Sequence, residues 1–123
     1  MIVHIHDNIT VGDIQDRIAK CFPGLTIEFY EKPIHLGYIP QAGDAFAPST
    51  PIGAIRTNHN GGELYLKSWY TASQVVELFK QHFGLNAWIY RENREKTVNA
   101  LLASKPLAEL VRMAKGERRF SLT

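Results

Sequence analysis

The chain repeats itself. Shifted by sixty-one residues, Val3-His4-Ile5-His6 falls on Leu64-Tyr65-Leu66-Lys67, Thr10 on Thr71, and Ile14, Ile18 and Phe22 on Val75, Phe79 and Phe83. One residue fewer near Pro23 reduces the shift to sixty, and Gly24-Leu25 then meets Gly84-Leu85 while Ile27-Glu28-Phe29-Tyr30 meets Ala87-Trp88-Ile89-Tyr90. A third match sets Ser49-Thr50-Pro51-Ile52-Gly53-Ala54-Ile55 against Ser104-Lys105-Pro106-Leu107-Ala108-Glu109-Leu110. An internal repeat constrains a fold strongly, because each copy must be one structural unit and the copies must bury their apolar faces together. The expected organisation is a single compact domain of two repeats, approximately 1–62 and 63–123.

The unit reads as β-α-β. Val3 and Ile5 alternate with His4 and His6, the period of a half-buried strand. Thr10 and Thr71 are placed to cap helices, with Asp13 and Gln74 three residues on completing capping boxes. Ile14, Ile18 and Phe22, like Val75, Phe79 and Phe83, form one apolar stripe per helix. Gly24 and Gly84 are the expected stops. Ile27 to Glu31 and Ala87 to Arg91 read as strands. Pro51 and Pro106 sit where short helices begin after a capping Ser or Thr, and each is followed by a strand-like ending, Glu63 to Leu66 or Arg119 to Leu122.

Two β-α-β units predict an α/β (α+β) fold in which they share one mixed sheet with both main helices on one face. A ferredoxin-like order suits a duplication, but the stretch from Lys32 to Gly62 is much longer than a hairpin, which a β-grasp-like layout uses better. With 123 residues, 45% hydrophobic and 21% charged, the chain suits one ordinary globular domain. Cys21 is alone, which excludes a disulfide framework. No apolar run approaches the roughly 20 residues of a bilayer span. Met1 to His6 lacks the basic start of a signal peptide, so the expected location is cytoplasmic.

Thr10-Val11-Gly12-Asp13-Ile14-Gln15-Asp16-Arg17-Ile18 resembles the start of the helix in ubiquitin-like β-grasp domains. Thr50-Pro51-Ile52-Gly53-Ala54-Ile55 resembles the turn before their last strand. The resemblance covers about a third of the chain and implies that fold with a non-catalytic, partner-binding habit. Phe120-Ser121-Leu122-Thr123 has no terminal glycine pair, so conjugation as a modifier is not implied. The duplicated pattern also looks like that of small bacterial proteins.

His4 and His6 share a strand face, as paired imidazole ligands do, and are the candidates for metal. Two ligands do not make a site, and Tyr65 and Lys67 replace them in the second copy, so no metal and no cofactor is expected. Cys21 beside Phe22 reads as packing. Walker-type and dinucleotide glycine motifs are absent from the sequence, and Asn58-His59-Asn60-Gly61-Gly62 reads as a tight turn. No acid, base and nucleophile converge, so the chain is read as non-enzymatic.

Charge is asymmetric. Residues 1 to 62 carry four Lys or Arg against six Asp or Glu, and residues 63 to 123 carry ten against six, net −2 and +4. Arg91, Arg94, Lys96, Lys105, Arg112, Lys115, Arg118 and Arg119 form the basic portion, suited to phosphates or an acidic partner. Trp69 and Tyr70 precede the cap Thr71, where an exposed Trp serves as interface anchor or stacking platform. Leu36, Tyr38 and Ile39 lie in a loop too apolar to be freely solvated. The leading expectation is a protein-protein interaction module or small adaptor. It binds another protein or a second copy of itself through a sheet edge, Trp69, Tyr70 and the Leu36-Tyr38-Ile39 loop. The alternative is a nucleic-acid-binding protein using the basic C-terminal third with Trp69 or Tyr70 stacking on a base.

Overall fold

The computed structural model describes residues 1–35, 37–38, 41, 43–92 and 100–120, with the backbone alone at 100 and 117–120. The elements run β1 (Ile2–Ile5), α1 (Val11–Cys21), β2 (Leu25–Tyr30), a short 3-10 helix (Ile52–Ala54), β3 (Gly62–Tyr65), α2 (Ala72–Phe83), β4 (Asn86–Arg91), α3 (Ala100–Ala103) and α4 (Leu107–Phe120).

Both main helices start as the sequence predicts. Thr10 Oγ1 accepts from the Asp13 N–H and Asp13 Oδ2 accepts from the Thr10 N–H; Thr71 and Gln74 repeat the exchange. The stops differ. Gly84, at φ 65°, caps α2 in the left-handed conformation that glycine adopts without strain, whereas α1 ends on Phe22 and the positive-φ Gly24 follows Pro23. The third match is real in the backbone. Val11 N–H bonds Thr50 O and Ile52 N–H bonds Ile9 O; Ala72 N–H bonds Lys105 O and Leu107 N–H bonds Tyr70 O.

The chain is α+β as expected, but among the described residues the strands do not form one mixed sheet. The described strands make two antiparallel pairs, β1 with β3 and β2 with β4. The registers give the reason. Val3 lies opposite Leu64 and Glu28 opposite Trp88, each residue facing its own counterpart. Two copies related by a twofold axis through those pairs must run antiparallel wherever equivalent strands meet. The repeats therefore join counterpart to counterpart.

The main buried cluster draws on both halves, including Ile5, Ile14, Ile18, Phe29, Val75, Phe79 and Leu107, with Phe29 and Phe79 edge to face at 5.5 Å. The copies diverge after Pro51 and Pro106. Gly53 lies so close to Asp7 that a Cβ there would fall 2.6 Å from the Asp7 Cβ, and the first copy turns after three residues. In the second copy Leu107, Leu110 and Ala114 continue a buried stripe, and the helix runs to Phe120. The strand expected at Arg119-Phe120 is thus helical. Among the described residues, no helix is long and apolar enough to cross a membrane.

Candidate functional site

The aromatic residue that the sequence singled out is exposed. Trp69 shows 68% of its surface and meets the ring of half-buried Tyr70 edge to face at 6.2 Å. Tyr70 borders a groove of about 580 Å³. One wall is the run from Asn60 to Tyr65, and the other includes Leu78, His82 and Phe83 of α2.

The hydrogen-bond phase of β3 makes this groove chemically particular. Met1 and Leu66 exchange both backbone bonds, so in the alternating antiparallel pattern Leu64 and Gly62 also face β1. The N–H and C=O of Glu63 and Tyr65 then point to the outer edge. No described residue bonds them there. On β1 the same phase turns Ile2 C=O outward, and the guanidinium of Arg17 on α1 donates to it at 2.7 Å. The β2 edge is closed in the same manner by Gln15, whose amide donates to Ile27 O at 2.8 Å. Sixty-one residues on, Arg17 and Gln15 are replaced by Leu78 and Val76, which donate nothing. Sequence reasoning missed this asymmetry, although the loss of two donors at matched helical positions was its visible signal. It also missed Tyr65, 48% exposed on the solvent face of β3 with Lys67 Nζ over its ring at 5.9 Å.

The segment entering β3 is tied to the first repeat by a charged node. Buried Arg56 donates through Nε and Nη2 to Asp7 Oδ1, at 3.0 and 2.8 Å, and through Nη1 to Asn60 O. His59 Nδ1 lies 2.9 Å from the other Asp7 oxygen. The Arg56 guanidinium, with a smaller contribution from His59, holds the Asp7 carboxyl below the usual aspartate range. Gly61 and Gly62 do not take positive φ, so the expected tight turn is instead a loop pinned by Arg56, His59 and Asn58.

The histidine pair does not converge on a centre. His4 Nδ1 lies 3.5 Å from Glu63 Oε1, and His6 Nδ1 accepts from the Asn8 N–H. Among the described residues, no three His, Cys, Asp or Glu gather as metal ligands. Tyr38 donates to Asp44 and lines a second groove with Tyr30, Ile34 and His35. Leu36, Ile39 and Arg94 lie outside the described residues, as do the side chains of Arg118 and Arg119. Arg112 and Lys115 are exposed on α4, and Arg91 ends β4 half-buried. Leu101, exposed on α3, was not singled out by the sequence. No protein-family model, curated protein or solved structure matches the chain.

Proposed function

We propose that the protein is a non-enzymatic binding module whose partner is another protein, docked on the second repeat around Trp69 and the β3 groove. The observation that carries this reading is Trp69 itself, a large aromatic surface left 68% exposed and braced by Tyr70 at the groove's border. Ordering an exposed indole in water gains little, whereas covering it in an interface gains much, and Trp is enriched among residues that dominate binding energy. The likeness of Thr10 to Ile18 to ubiquitin-like domains supports a partner-binding habit in the same direction.

The test is affinity capture on the immobilised chain, wild type against Trp69→Ala, at low and high salt. A captured protein retained at high salt and lost with Trp69→Ala supports the reading. Captured nucleic acid that high salt releases overturns it in favour of phosphate contacts by the basic third. Capture unchanged by Trp69→Ala also overturns it.

A further inference from the structure

We propose that the groove beside β3 receives an extended apolar peptide with acidic flanks, added as a third strand to the β1–β3 pair. This rests on the partner-binding reading and names the partner's chemistry. The edge presents two N–H and two C=O groups, from Glu63 and Tyr65, at the spacing of a strand, and another backbone in extended form matches all of them. Leu78 and Phe83 line the opposite wall, so alternate side chains of an added strand would cover apolar surface that a water layer leaves wet.

The first repeat supplies the control within the same molecule. Its equivalent carbonyl, Ile2 O, is already occupied by Arg17, whereas Leu78 leaves Glu63 O open. The two edges thus differ at this one position: the β1 edge has its Ile2 carbonyl occupied, and the matched Glu63 carbonyl of β3 has no described donor. The acidic flank follows from charge. The Glu63 carboxylate accepts from the Tyr65 hydroxyl at 2.8 Å and faces His4, while Lys67 Nζ stands over the Tyr65 ring at the end of the strand. An anionic side chain at the strand end meets Lys67 rather than an unpaired carboxylate.

The experiment titrates the ¹⁵N-labelled chain with a blocked peptide of alternating Val and Thr between Glu residues, up to millimolar concentration. Expected are saturable shifts at the Glu63 and Tyr65 amides with one peptide per chain, and weaker binding of a Lys-flanked peptide. Methylating alternate peptide backbone nitrogens should abolish binding. Tyr65→Pro removes an outward N–H but no bond to β1, and should weaken binding roughly tenfold with the fold retained by circular dichroism. Leu78→Arg, which copies the first repeat, should do the same. Absence of shifts at millimolar peptide, equal binding of the methylated peptide, or shifts confined to another surface overturns the proposal. So does a dimer by light scattering that Tyr65→Pro converts to the 13.9 kDa monomer, which would assign the edge to a second copy. If strand addition fails while Trp69-dependent capture persists, the binding-module reading stands alone; if capture also ignores Trp69, both fall.

Discussion

The hydroxyls of Tyr30 and Tyr90, counterparts sixty residues apart, meet at 2.8 Å across the β2–β4 pair. Tyr30 donates to Glu28 Oε2 at 3.0 Å, and a carboxylate only accepts, so Tyr90 is the donor in the Tyr–Tyr bond. Both rings are buried, with Ile34, Ala45 and Trp88 packed around them. Each pair member lies on the strand face away from the main core, and together they close a second small core over the twofold axis. Tyr90→Phe leaves the Tyr30 hydroxyl one partner short and should cost about 1 kcal/mol in urea unfolding. The double Tyr30→Phe/Tyr90→Phe variant should lose less than the sum of the singles. Strict additivity would show that the two hydroxyls do not interact.

The same pair sets an alkaline limit. Burial pushes the Tyr90 phenol up to about 12, and burial together with Tyr90 and Glu28 pushes Tyr30 higher. Unfolded tyrosines ionise near pH 10. The folded state therefore holds protons that the unfolded state releases, and this stability is present below about pH 10 and lost as pH rises toward 12. Absorbance at 295 nm should show two of the five tyrosines ionising only as circular dichroism reports unfolding. Five phenols titrating together in the native protein would contradict the arrangement.

Acid acts through the node that anchors β3. Arg56 holds the Asp7 carboxyl low, so the folded state gives up that proton at lower pH than the unfolded chain. Its contribution is present above the ordinary aspartate range and disappears as pH falls through the lowered value. Asp7→Asn should lower the melting temperature at neutral pH and flatten the acid side of the stability profile. Arg56→Met should also destabilise at neutral pH, because Asn60 O loses its donor.

The capping boxes are equivalent and share no hydrogen-bond partner. Thr10→Ala and Thr71→Ala should each cost about 1 kcal/mol, additively, in chemical denaturation. A negligible effect at either site would mean that its helix start is held by the neighbouring Thr50 or Lys105 backbone bonds instead.

Among the described residues neither half pairs two of its own named strands, since β1 pairs with β3 and β2 with β4. Fragments 1–61 and 62–123 should each melt without cooperativity, and mixing them should restore the helical signal. A fragment that folds alone would show that its half holds a self-sufficient core.

Much of this architecture is legible in the sequence. The shift of sixty-one, Thr10 with Asp13, Thr71 with Gln74 and the i, i+4, i+8 stripes determined two helices, their starts and their inner faces, because caps and amphipathic spacing are local and each copy reports on the other. Trp69 was legible as a candidate since it stands where the first repeat has a small polar residue, Asn8. Strand pairing was not. Which edges meet depends on the relation between the copies, and only the folded chain places Val3 against Leu64 and Glu28 against Trp88. The open β3 edge, the Asp7–Arg56 ion pair and the Tyr30–Tyr90 bond likewise join residues roughly fifty to sixty positions apart, or depend on such a pairing. The sequence alone determined the repeated unit through short-range geometry; the tertiary structure decided that the Ile2 carbonyl is occupied and its match at Glu63 is not, because that turns on whether α1 or α2 brings a donor to it.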